Sequence, residues 1–102
     1  MIHVIATITT NTNSRTKLLD EFRKLVPTVR AEAGCIEYTP TIDVDSGIGG
    51  LPGERNDVVT VVEKWENVAA LDAHLKSPHM LRYREAVKGL VKTVEIRVTQ
   101  PA

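Results

Sequence analysis

The sequence predicts an α+β fold on the ferredoxin-like βαββαβ plan, an antiparallel sheet with its helices on one face. Three observations carry that expectation. Alternating apolar runs lie near both ends of the chain, at residues 2–8 and 94–98. A strongly amphipathic segment follows the first run. Two further strand-like segments, separated by a glycine-rich loop, come before a pair of short helical segments.

The elements follow in order. Ile2, Val4, Ala6 and Ile8 alternate with His3, Ile5, Thr7 and Thr9, the period of a strand. Residues 11–14, NTNS, form a polar break rich in helix-capping side chains. Leu18, Leu19, Phe22, Leu25, Val26 and Val29 then fall within an arc of about 120° at about 100° per residue, which predicts an amphipathic helix. Pro27 lies opposite that arc, on the solvent side. It is expected to kink or restart the helix, because an unbroken helix would carry a cost of about 3 kcal/mol. Gly34 ends the element.

Residues 35–44 read as the second strand and residues 57–66 as the third. The loop between them, residues 45–56 (DSGIGGLPGERN), is long for a hairpin, and loops of that length tend to be functional or mobile. Both faces of the third strand carry apolar residues, Val58 and Val62 on one and Val59, Val61 and Trp65 on the other. That pattern predicts burial on both sides. Asn67 is placed to cap a short helix bearing Val68, Leu71 and Leu75. Ser77-Pro78 is an N-cap and N1 pair for the next helix, where Met80, Tyr83 and Val87 share one side. Val94, Ile96 and Val98 alternate in the final strand.

The 102 residues suit a single domain, residues 1–102. The first and third strands look apolar on the sheet face away from the helices, and nothing else in the sequence is left to cover it. A second copy is the economical cover, so a homodimer through sheet faces is expected.

Composition removes several function classes. Thirteen Lys and Arg balance thirteen Asp and Glu, leaving no net field to draw nucleic acid or an anionic membrane. One cysteine, Cys35, allows no internal disulfide and no CxxC metal or redox site. A cytoplasmic setting fits. The opening MIHVIATITT lacks basic residues before its apolar run and does not read as a signal peptide, and no apolar run approaches a membrane span. The loop glycines invite a nucleotide-binding reading that fails, because a GxGxxG match from Gly47 meets Pro52 and no helix follows the loop.

Chemistry concentrates in residues 63–80, EKWENVAALDAHLKSPHM. This stretch holds the lone tryptophan, Trp65, the carboxylate Glu63 and two of the three histidines, His74 and His79. The histidines are five apart across Pro78, not the four that would set two metal ligands on one helix face. No metal is therefore assigned. His74 lies about 80° from the centre of its helix's apolar stripe, at the border of the core. His79 falls in the first turn of the next helix. Glu63 shares a strand face with Val59, Val61 and Trp65, so it is either salt-bridged, to Arg84 or Arg97, or held in a pocket with a raised pKa. Ser77 reads as a cap rather than a nucleophile. Tyr38 and Tyr83 read as packing residues with hydroxyls at the core edge.

The strand MIHVIATI, the junction AEAGCIEY, and E-x-W followed by Ala70-Leu71, His74 and Ser77-Pro78-His79 together resemble the antibiotic biosynthesis monooxygenase family, small dimeric α+β barrels that include quinol monooxygenases. The resemblance covers essentially the whole chain. It implies a monooxygenase that uses no flavin, haem or metal and oxidises a small quinol or polyphenolic aromatic with dioxygen. His74 and His79 are then the candidates for catalytic base and polarising donor. Trp65, Tyr38, Tyr83 and Glu63 are the candidates for substrate binding. Haem-degrading relatives use an Asn on the first strand and a His in the last helix. Here Ala6 and Arg84 stand at those positions, which speaks against haem. Relatives of other classes leave two alternatives, a non-catalytic binding or stress protein whose barrel is filled by side chains, and an isomerase acting on a small metabolite.

Overall fold

The computed structural model describes residues 1–102 as four strands and three helices. In order these are β1 (Ile2–Thr10), α1 (Arg15–Arg30), β2 (Cys35–Thr41), β3 (Val58–Trp65), α2 (Val68–Leu75), α3 (Pro78–Val87) and β4 (Val91–Thr99). The strands form one antiparallel sheet in the order β2-β3-β1-β4, the ferredoxin-like arrangement the sequence predicts.

Register decides which side chains share the core. Ile2, Val4, Ala6 and Ile8 of β1 lie opposite Trp65, Glu63, Val61 and Val59 of β3, and all eight are buried on the helix-bearing face. Leu18, Phe22, Leu25, Val26 and Val29 are the buried stripe of α1, the same stripe the periodicity marks, with Leu19 partly buried beside it. Burying each such side chain stabilises the fold by roughly 1.5–3 kcal/mol. Helix α1 runs unbroken through Pro27, so the proline neither ends nor restarts it. The packed stripe on both sides of position 27 outweighs the missing backbone donor there.

Three local expectations change. Strand β2 stops at Thr41, because its partner β3 begins only at Val58 and the pair Thr41–Thr60 is the last rung. Pro40 is tolerated inside β2 because β2 is a sheet edge. The second face of the sheet is less apolar than the alternation suggested: β1 shows His3, Ile5, Thr7 and Thr9 there, and β3 shows Val58, Thr60, Val62 and Lys64. Meanwhile Val94, Ile96 and Val98 of β4 pair with Ile8, Ala6 and Val4, which puts them on the helix-bearing face, yet they stay exposed. The helices therefore leave the β4 side of their own face open.

The turn between α1 and β2 is tight. Gly34 adopts φ +84°, a left-handed conformation natural to glycine. A β-carbon at that position would also come within 2.6 Å of the Ala70 β-carbon, so the glycine lets α2 seat against this turn. The long loop after β2 is held by an Asp43–Arg55 ion pair at 2.8 Å.

Candidate active site

The corner between α2 and α3 is built by capping. Asn67 Oδ1 accepts from the Ala70 amide at 2.9 Å and starts α2. Ser77 Oγ accepts from the Met80 amide at 3.3 Å, the cap the sequence predicts, and donates to the His74 carbonyl at 2.8 Å. Arg84 donates to the Leu75 carbonyl at 2.7 Å and ties the same corner from α3. These bonds fix the relative positions of His74 and His79.

His74 is fully buried rather than at the core border. Its ring packs against Trp65, with centroids 4.7 Å apart, and against the edge of Tyr38 at 5.3 Å. Its Nδ1 lies 2.7 Å from Glu32 Oε2. Burial lowers the His74 pKa, and the bond to Glu32 raises it less than burial lowers it, so the ring is held neutral. A neutral imidazole that donates from Nδ1 to a carboxylate carries a bare Nε2.

Glu32 is the residue the sequence did not single out. It sits in the turn after α1, its amide bonded to the Val29 carbonyl at 2.9 Å and its carbonyl accepting from Cys35 at 3.2 Å. His79 Nε2 lies 3.1 Å from the same Glu32 oxygen, off the line a hydrogen bond needs. It is the one fully buried side-chain nitrogen or oxygen in the molecule without a hydrogen bond. Glu32, His74 and His79 present three ligand-type atoms within 4.8 Å of one another, a His₂-carboxylate set of the kind zinc accepts.

Glu63 makes no salt bridge; Arg84 and Arg97 are engaged elsewhere. Its Oε1 accepts from Trp65 Nε1 at 2.9 Å. Burial pushes its carboxyl from 4.5 up to about 7; the Trp65 bond pulls it back in part, and the charge of Glu32 pushes it further up. Of the two readings of Glu63 in the sequence, the pocket with a raised pKa is the one realised.

Between the sheet, α1 and α3 lies a cavity of about 470 Å³, a size typical of small-molecule sites. Ala6 and Ile8, Val61, and Val94 and Ile96 wall it on the sheet side. Phe22, Leu75, Met80 and Val87 wall it on the helix side. Four polar groups of the cluster border it: Glu63, His74, Tyr38 and Tyr83, with Arg84 and Lys88 also on its wall. Burial holds both tyrosines above their ordinary range, Tyr83 at about 12 and Tyr38 further, so both stay protonated donors at neutral pH. Phe22 stacks on Tyr38 at 5.4 Å and meets Tyr83 edge-on at 5.6 Å, fixing both rings.

Four of the six expected site residues therefore meet at one cavity. Trp65 is fully buried and off the cavity wall, behind Glu63 and His74. His79 is also off the wall, against Glu32. The loop of residues 45–56 does not border the cavity. No motif spacing links Glu32 to His74, which are 42 residues apart; the only sequence trace of Glu32 is its place in the AEAGCIEY junction.

Comparison with known proteins gives the family. Residues 1–86 match the profile of the antibiotic biosynthesis monooxygenase family. The chain belongs to that family. A protein of Escherichia coli strain K12 named probable quinol monooxygenase YgiN is 44% identical over 99% of this chain and 98% of its own length. Among solved structures, PA3566 from Pseudomonas aeruginosa superposes with a TM-score of 0.82 at 30% identity, covering 99% of this chain and 94% of its own. Rv0793 from Mycobacterium tuberculosis gives 0.81 at 27% identity, with the same coverage. For this member of the antibiotic biosynthesis monooxygenase family, Ala6 and Arg84 both border the cavity. The two positions that depart from the haem-degrading pattern thus face the cavity.

Proposed function

We propose that this chain, a single domain over residues 1–102, is a cofactor-independent monooxygenase that oxidises a small quinol or related polyphenol with dioxygen. The observation that carries the reading is the composition of the cavity: twelve of its sixteen bordering residues are hydrophobic, the rings of Tyr38 and Tyr83 included, and His74 and Glu63 border the same space. An apolar wall suits an aromatic ring and keeps water from reactive intermediates.

The chemistry follows from those groups. A phenol titrates near 10 and a free imidazole near 6.5, a gap worth about 5 kcal/mol, so removing the proton needs both a base and stabilisation of the anion. His74 Nε2 takes the phenolic proton. The hydroxyls of Tyr38 and Tyr83 donate to the phenolate, and Arg84 and Lys88 on the cavity wall favour its charge. The phenolate gives one electron to dioxygen, and the phenoxyl radical and superoxide combine at a ring carbon that bears hydrogen. The peroxide then loses water as its carbon becomes a carbonyl: quinol plus dioxygen gives a hydroxyquinone plus water. His74 gives its proton to the peroxide, and Glu63, poised near 7, protonates the departing oxygen and recovers a proton from the ring carbon. Trp65 acts by holding Glu63 rather than by stacking on substrate.

The working form in this reading is a homodimer in the cytoplasm. The exposed Val94, Ile96 and Val98 and the uncovered second sheet face support a second copy. No helix is long and apolar enough to cross a membrane. A monomer by light scattering at micromolar concentration removes the dimer from the reading.

The test is oxygen consumption with a panel of hydroquinones and polyphenols. Wild type is expected to consume one dioxygen per quinol, and His74→Ala to lose a factor of about 10² to 10⁴. Equal background rates for both would sink the enzymatic reading. One observation favours a non-catalytic binder, the complete burial of Trp65. That reading expects aromatics to raise the melting temperature without any oxygen uptake, whereas turnover that persists anaerobically would point to an isomerase.

A further inference from the structure

The cavity-facing atom of His74 is only as useful as its tautomer. Nothing in the cavity wall sets that tautomer; the setting comes from the opposite edge of the ring, where Nδ1 meets Glu32 Oε2 at 2.7 Å. That same oxygen is 3.1 Å from the buried, otherwise unpartnered His79 Nε2. Two imidazoles on different helices therefore converge on one carboxylate oxygen presented by a third segment, the turn after α1.

We infer that Glu32 is the positioning residue of this site and that His79 acts through it, never on the substrate. The inference rests on the reading of the cavity as a quinol site for its kinetic consequences, but not for its geometry. Glu32 accepts from Nδ1–H and thereby leaves Nε2 bare toward the cavity. When Nε2 gains a proton, the imidazolium that forms is paired at once with the carboxylate. His79 Nε2 stands 3.1 Å from the same oxygen, in contact without a hydrogen bond, and limits where that oxygen can move.

The spacing separates this role from a metal centre made of the same three side chains. Ligands of a tetrahedral zinc ion, bound at about 2.0–2.2 Å, stand about 3.3 Å apart. A contact of 2.7 Å between Nδ1 and Oε2 is instead the length of a charge-assisted hydrogen bond.

The experiment pairs kinetics with nitrogen NMR of ¹⁵N-histidine-labelled protein. In wild type at neutral pH, His74 is expected as the Nδ1–H tautomer with an unprotonated Nε2; the Nε2–H tautomer there overturns the inference outright. Glu32→Gln is expected to scramble the tautomer and lower kcat by on the order of 100-fold with KM little changed. Glu32→Asp is expected to restore part of kcat and the wild-type tautomer. His79→Gln is expected to lower kcat by about tenfold, again with KM little changed. Full kcat in Glu32→Gln overturns the inference, as does a rise in KM alone. A melting curve for each variant separates lost positioning from lost folding, and the NMR readout holds for any variant that stays folded. One zinc ion bound tightly per chain, and lost in Glu32→Gln, would make the trio a metal centre and overturn it too. If wild type oxidises no quinol, the monooxygenase reading fails while the tautomer measurement still decides the role of Glu32.

Discussion

Trp65 Nε1 donates to Glu63 Oε1 at 2.9 Å, and both residues lie on the same face of β3, two positions apart. The bond stabilises the ionised form of a carboxyl that burial would otherwise keep protonated. Trp65→Phe keeps an aromatic ring in the core and removes the donor. The Glu63 midpoint is expected to climb above its value of about 7, read by carbon NMR of the side-chain carboxyl. An unchanged or lower midpoint would mean that the indole does not tune Glu63.

The raised carboxyl also sets a sign for stability against pH. Glu63 titrates at about 7 in the folded chain against an ordinary 4.5, so between those values the folded state binds more protons than the unfolded one. Stability contributed by protonated Glu63 is present below about 4.5 and is lost as pH rises through about 7. The full difference is about 3 kcal/mol as an order of magnitude. Glu63→Gln should therefore be more stable than wild type at pH 8 by up to that amount. The advantage should shrink toward pH 5. Urea melts at the two pH values measure it, and a constant offset would contradict the assignment.

Much of the fold was legible because it rests on local periodicity. The apolar stripe of α1, the caps Asn67 and Ser77 and the alternation in β1 each depend on neighbours within a few residues, and the molecule uses them as the pattern implies. What the pattern hid was non-local. Val94, Ile96 and Val98 alternate like core residues, but the pairing of β4 with β1 puts them beyond the reach of the helices. Glu32 reads as surface charge beside Arg30 until the turn at Gly34 sets it against a helix more than 40 residues away. Trp65 and His79 were legible as members of a cluster, but that they meet Glu63 and Glu32 instead of the cavity depends on side-chain packing that sequence spacing does not encode.

Gly34 joins fold and site. Its positive φ and the 2.6 Å approach to Ala70 mean that a methyl group there strains the backbone and pushes α2 away from the turn that carries Glu32. Gly34→Ala is expected to lose about 1–3 kcal/mol of stability in urea denaturation. It is also expected to weaken the contact between Glu32 and His74, seen as a mixed His74 tautomer in the fraction that remains folded. Wild-type stability would show that α2 seats independently of this glycine.

Ala6 offers a way to close the cavity without touching any titrating group. It lies on β1 between Val61 of β3 and Ile96 of β4, with all three bordering the cavity. Its small side chain leaves open the space a larger one would fill. Overpacking usually costs 1–3 kcal/mol in a close-packed core, but here the added carbons of Ala6→Leu enter about 470 Å³ of empty, mainly apolar volume. Each methylene buried there contributes about 0.8 kcal/mol instead. The variant should therefore melt at or above the wild-type temperature while binding aromatics at least tenfold more weakly, measured by ligand-induced shifts in melting. A stable variant that binds aromatics as tightly as wild type does would show that they bind elsewhere, and would remove the cavity from the account of this protein's chemistry.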